Sequence, residues 1–133
     1  MKEGWHDDYY LQLFDSSEIP SVTESYCLDK YLPGFSVVGL LSWDDLIVRD
    51  KKDSLFSVPT VPLGPEHLKR LTFQLPTSPL ISDLRFIGKV KWYIKPILFG
   101  GNPTAADNIS WVDSAQHCQL VVWWNDQYHS QKA

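Results

Sequence analysis

The chain has 133 residues, 44% of them hydrophobic and 21% charged, with a formal net charge of −4. This is one domain of ordinary size, able to bury roughly two-thirds of its unfolded surface without disulfides or metals. An excess of 16 Asp and Glu over 12 Lys and Arg speaks against a generic nucleic-acid binder, and the composition is not that of a disordered chain.

Residues 5–32 read two ways. Trp5, Tyr9 and Leu13 sit at helical spacing, whereas Leu11-Gln12-Leu13-Phe14 also fits a strand. Ser21 to Leu32 predicts a short helix stopped by Pro33-Gly34. From Phe35 the pattern turns to β: Phe35 to Leu41 and Leu46 to Arg49 read as strands, and Asp50 to Ser54 as a hairpin turn into Leu55 to Val58. Pro59, Pro62 and Pro65 recur at every third residue, which predicts an extended, polyproline-like path at a sheet edge. One helical turn is expected over Glu66 to Leu71, and a loop at Pro76-Thr77-Ser78-Pro79. In Lys89 to Lys95, alternation places Lys89, Lys91, Tyr93 and Lys95 on one face and Val90, Trp92 and Ile94 on the core face. Gly100-Gly101-Asn102-Pro103 is a turn. Asp113 and Gln116 have capping-box spacing and open a long C-terminal helix, 113–128, with His117, Leu120, Val121, Trp124 and Tyr128 on its apolar stripe. The sum is an α+β fold in a single domain, 1–133: an antiparallel, twisted central sheet with flanking helices.

The motifs of common enzymes are missing: no G-x-S-x-G, P-loop, G-x-G-x-x-G or H-E-x-x-H is present. His117 and Cys118 are neighbours on a helix, so they point about 100° apart and do not form a nucleophile and base. His6-Asp7-Asp8 and Trp43-Asp44-Asp45 carry metal-ligand chemistry but no ligand spacing, so neither a metal nor another cofactor is expected. Cys27 and Cys118 read as reduced, buried thiols. With no apolar run of about 18 residues and no signal peptide, the chain is expected to be cytoplasmic, without membrane contact.

Charge is segregated. Residues 1–45 hold nine acids and two bases, residues 46–96 nine bases and four acids, and residues 97–133 three acids and one base. The first part offers an acidic surface to a basic partner. Six Trp, six Tyr and six Phe exceed what one small core easily hides, and Trp43 and Trp123 are the candidates for surface anchors.

Five strings together resemble a known group: Ser25 to Gly34, Gly39 to Asp45, Val58 to Leu63, Gly88 to Pro96 with Phe99-Gly100-Gly101, and Gln116-His117 leading to Trp123-Trp124-Asn125. They are similar to bacterial immunity proteins of the SUKH type, small proteins encoded beside polymorphic or type VI secreted toxins. The resemblance covers roughly residues 25–128. It implies an α+β fold and a non-enzymatic toxin inhibitor that binds a cognate toxin domain and occludes its active site. The residues expected to meet that partner are Asp7, Asp8, Asp44 and Asp45 for charge, with Trp43 and Trp123 as anchors; a monomer is expected, with no nucleic acid bound. The alternative is a small ligand-binding domain or enzyme that uses the Lys89, Lys91, Lys95 face for an anionic, nucleotide-like molecule.

Overall fold

The computed structural model describes residues 1–132. Six strands follow one another as an antiparallel meander: β1 (Lys2–His6), β2 (Tyr9–Leu13), β3 (Ser36–Leu41), β4 (Asp45–Arg49), β5 (Leu55–Pro59) and β6 (Lys69–Arg70), in that spatial order. Between β2 and β3 the chain makes two short helices, α1 (Ile19–Ser25) and α2 (Leu28–Tyr31). A separate two-stranded sheet pairs β7 (Val90–Tyr93) with β8 (Ile109–Val112), and α3 (Ser114–Lys132) closes the chain. This is the α+β class, with an antiparallel sheet and a long C-terminal helix.

The sheet is covered on both faces, which is why β4 reads as a run of apolar residues rather than as clean alternation. Leu46 and Val48 pack into a cluster with Tyr10, Tyr26, Leu28, Val37, Leu40, Trp92 and Val121. Ile47, between them, points the other way, to Leu11, Leu13, Ile19 and Val38. That second face is roofed by a strap that runs on from β6 outside any helix or strand, whose Leu71, Phe73 and Leu75 recur at every second residue. In β3 the register slips between Val37 and Gly39, a bulge whose Val38 carbonyl accepts the Phe14 N–H at 3.0 Å. Gly39 has no substitute there: a Cβ would stand 2.6 Å from the Gln12 carbonyl oxygen.

Several expectations need correction. The single helix over 21–32 is broken at Cys27, whose φ of 52° is left-handed and separates α1 from α2. The prolines do not follow a sheet edge: Pro59 ends an interior strand paired with Asp45, Pro62 is buried, and Pro65 opens a 3-10 turn over Pro65–His67. Ile94 is not core. β7 ends at Tyr93, where the Asn108 carbonyl captures the Ile94 N–H at 2.8 Å, and the Ile94 side chain is 57% exposed. The helix starts as its capping box predicts: the Gln116 N–H donates to Asp113 Oδ1 at 2.8 Å, and Asp113 N–H donates to Gln116 Oε1 at 3.2 Å.

His117 is a core histidine, fully buried with Nδ1 2.6 Å from the Tyr26 hydroxyl and its ring edge-on to Trp92. Burial disfavours the imidazolium and pushes its pKa down to about 4. The unfolded chain protonates near the ordinary 6.5, so this group's contribution is present above that pH and is lost as pH falls toward 4, roughly 3 kcal/mol in all. Denaturant unfolding between pH 7 and pH 4.5 checks this: His117→Gln should lose clearly less stability over the interval than the parent. Equal losses would show that another group carries the acid sensitivity.

Candidate functional site

Antiparallel succession sends the β1–β2 turn, the β3–β4 turn and the chain after β5 to the same end of the sheet. That end carries a cavity of about 200 Å³, walled by residues 43–45, 59–61, 91–93 and 96–98.

The first wall comes from a strained turn. Ser42 and Trp43 both have positive φ, 45° and 64°, an uncommon choice for residues other than glycine. Local bonds hold it: the Ser42 N–H donates to the Tyr10 carbonyl at 2.7 Å, and Ser42 Oγ accepts the Tyr10 N–H at 3.2 Å. The turn drives the Trp43 indole inward to stack on Tyr10, with centroids 5.1 Å apart. Asp44 and Asp45 follow it and are among the residues that line the cavity, the Asp44 carboxylate on the side of Lys91.

The second wall is tied to the first and to α3. Thr60 N–H and Thr60 Oγ1 donate to the Asp44 carbonyl at 3.1 and 3.2 Å. Behind it, Asn125 is fully buried. Its Oδ1 accepts the Leu63 N–H at 2.7 Å, while Nδ2 donates to the Thr60 and Val121 carbonyls at 2.7 and 2.8 Å.

The third wall is β7 and the loop beyond it. A 3-10 turn over Ile97–Phe99 ends at Gly100, with φ 91°, and the Phe99 ring packs on Trp124 at 4.8 Å. Asn108 pins the loop: its Oδ1 accepts the Lys95 N–H, and its Nδ2 donates to the Lys95 and Asn102 carbonyls. Gly100-Gly101 therefore closes a turn. The side chains left outside are Ile94, Ile97 and Leu98, the latter two 51% and 47% exposed.

Lys91 Nζ lies 3.1 Å from Asp44 Oδ2 and 3.2 Å from the Tyr93 hydroxyl, over the Tyr93 ring. Burial works against its charge, but the hydroxyl and the carboxylate outweigh it and hold the ammonium above its usual range. Burial raises the Asp44 carboxyl, and the Lys91 attraction only partly offsets it. Asp45 is raised as well, by burial first and by the neighbouring Asp44 second, against a weaker pull from Lys69.

Sequence-predicted residues divide accordingly. Trp43, Asp44 and Asp45 share the cavity with Lys91 and Tyr93, the residues of the alternative reading. Asp7 and Asp8 form the β1–β2 turn at the same sheet end, roughly 10 Å away by strand spacing. Trp43 is only 9% exposed, a wall of the cavity rather than a protruding anchor. Trp123 is 53% exposed but stands on α3 beside Gln116, Gln119 and Leu120, outside this cavity. Lys89 and Lys95 flank β7 instead of extending it, so the lysine face reduces to one residue already paired. The sequence brings in Asn125 and Thr60 only within the strings of the resemblance, with no role of their own, and Ile97 and Leu98 of the apolar rim not at all. Asn125 falls four residues after Val121 and eight after His117, a spacing that puts a polar residue on the buried face.

Comparison with protein families, with curated proteins and with solved structures finds no match. Among the described residues, no group of three or more His, Cys, Asp or Glu side chains is arranged to hold a metal ion, and no helix is long and apolar enough to cross a membrane.

Asp45 yields a stability test. A carboxyl raised on folding opposes the fold when ionised, so stability is gained as pH falls through its titration and the cost is full at neutral pH. Asp45→Asn should melt a few degrees higher at pH 7 and match the parent near pH 3. A lower melting temperature at pH 7 would contradict the assignment.

Proposed function

We propose that this protein is an immunity protein that binds a cognate secreted toxin domain and occludes its active site. One observation carries the reading: a small cavity lined in part by Asp44 and Asp45 opens beside three exposed apolar side chains, Ile94, Ile97 and Leu98. Exposed apolar residues around a desolvated polar centre are the arrangement that concentrates binding energy in protein interfaces. The resemblance of the five strings supplies the partner class, and the charge supplies its sign. A toxin cleft shaped for an anionic substrate is basic, and an acidic inhibitor is steered to it.

Mechanistically, Asp7, Asp8, Asp44 and Asp45 raise the encounter rate from one end of the sheet, and the apolar rim slows release. Lys91 is paired with Asp44, so the cavity holds no spare positive charge for an anionic ligand. The protein-binding reading is therefore the one the geometry favours.

Co-expression with the product of the neighbouring gene, followed by affinity measurement and a toxicity-rescue assay, tests the proposal. Joint Asp44→Lys and Asp45→Lys should weaken the complex by about tenfold to a hundredfold, with a loss of rescue. Raised salt should slow association to the parent protein. A doubly reversed protein that binds and protects as well as the parent would overturn the placement of the interface.

A further inference from the structure

The small sheet offers a second surface, which goes beyond the reading above and does not depend on it. We propose that the free edge of β8 receives an extended segment of a basic partner chain, paired to it as an added strand.

Ladder parity decides which groups are free. The Ile94 N–H donates to the Asn108 carbonyl at 2.8 Å, and the same register pairs Trp92 with Ser110 and Val90 with Val112. Bonded positions alternate in an antiparallel pair. Ser110 and Val112 therefore bond to β7, while the N–H and C=O groups of Ile109 and Trp111 point away from it. None of those four groups meets a hydrogen-bond partner among the described residues. No residue of β8 is buried, in contrast to the interior strands β3 and β4. The strand is an outer edge.

That edge is unguarded. Lysine, proline or a bulge commonly blunts a sheet edge. Lys89, Lys91 and Lys95 stand in or beside β7, whereas Ile109-Ser110-Trp111-Val112 holds no charge and no proline and pairs without a register shift.

Apolar side chains flank the edge on both faces. Ile109 and Trp111 share one face, and Trp111 is 40% exposed. On the other face, Val112 forms a groove with Gln116, Gln119, Leu120 and Trp123 of α3. No residue of β7 lines this groove, so it lies on the outer side of β8, where alternate side chains of an added strand would enter. Trp123, which the cavity leaves out, thus meets the same segment.

Charge selects the occupant. Asp107 and Asp113, both exposed, bracket the edge. A second copy paired antiparallel, in the register that joins all four free groups of each strand, would set Asp107 against Asp113 at both ends, where like charges repel. A segment with Lys or Arg at its ends and apolar residues at alternate positions between them matches both the edge and its charge.

The probe is acetyl-Lys-Val-Thr-Val-Thr-Val-Lys-amide, long enough to span 107–113, titrated into the full chain and followed by two-dimensional NMR. Its controls carry proline at the central position or Glu at both ends. The lysine peptide should give saturable shifts centred on the Ile109 and Trp111 amides and the Trp123 indole, with a dissociation constant of about 1 mM. Proline should weaken binding by about tenfold or more, and the Glu ends by about fivefold or more. Asp107→Lys should keep a folded spectrum and weaken the lysine peptide by about threefold or more. The inference is overturned by an absence of saturable shifts at β8, by equal binding of either control, or by full affinity in Asp107→Lys. Sedimentation of the chain alone should show a monomer at the concentration used. A dimer that shifts the Ile109 and Trp111 amides would make a second copy the occupant and overturn the choice of a basic partner.

Discussion

One buried amide fixes the relation between the last helix and the sheet. Asn125 sits at the point where α3 passes the chain leaving β5, and it bonds the Leu63 N–H, the Thr60 carbonyl and its own helix's Val121 carbonyl. Each of the two loop groups would be a buried, unmade hydrogen bond without it, at about 1–3 kcal/mol apiece. The bond network continues outward. Thr60 grips the Asp44 carbonyl with both its N–H and its hydroxyl, and the Asp44 carboxylate holds Lys91 on β7. Three sequence-distant walls of the cavity are thus indexed to one side chain, and the cavity is preformed rather than assembled by a partner.

The aromatic excess serves a second join. A run of rings, Trp5 to Tyr10 to Trp43 to Trp111, with Phe86 touching all four, crosses from the six-stranded sheet to the β7–β8 pair at centroid distances between 5.0 and 6.1 Å. Such pairs add about 0.5–1.5 kcal/mol beyond the area they bury. Since two strands alone are barely stable in water, the small sheet depends on this contact and on the Trp92 ring beneath it. The acids at the rim stand on this rigid base, which a rapidly associating inhibitor needs so that little ordering entropy is lost on binding.

Much of the fold was legible because it follows local rules. The β3 to β5 meander shows in strand runs and a polar turn, and the start of α3 in the reciprocal bonds of Asp113 and Gln116. What escaped depends on partners far along the chain. β1 and β2 were ambiguous because Trp5, Tyr9 and Leu13 fit a helix until the pairing of β2 with β3 is known. The strap from Leu71 to Leu75 has strand-like alternation but leaves the sheet after Leu71, whose N–H donates to the Leu55 carbonyl at 3.1 Å. At the site, Asp44 and Asp45 are picked out by charge and Trp43 as one of the excess aromatics, beside that acidic pair. Its burial follows from the left-handed Ser42-Trp43 turn, which no glycine announces. Asn125 was hidden for the opposite reason: a lone amide on an apolar stripe reads as noise until the unpaired groups of the 60–63 segment are placed opposite it.

If Asn125 is the clamp from which the cavity is built, neither the Leu63 N–H that it accepts nor the neighbouring Thr60 N–H, held by the Asp44 carbonyl, can open alone. Residue-resolved hydrogen exchange by NMR, reading Leu63 and Thr60 against the buried amides of β4, tests this most directly. The account predicts that both exchange only with global unfolding, at free energies matching those of Ile47 and Val48. Exchange of Leu63 or Thr60 at the rate of exposed loop amides would contradict it.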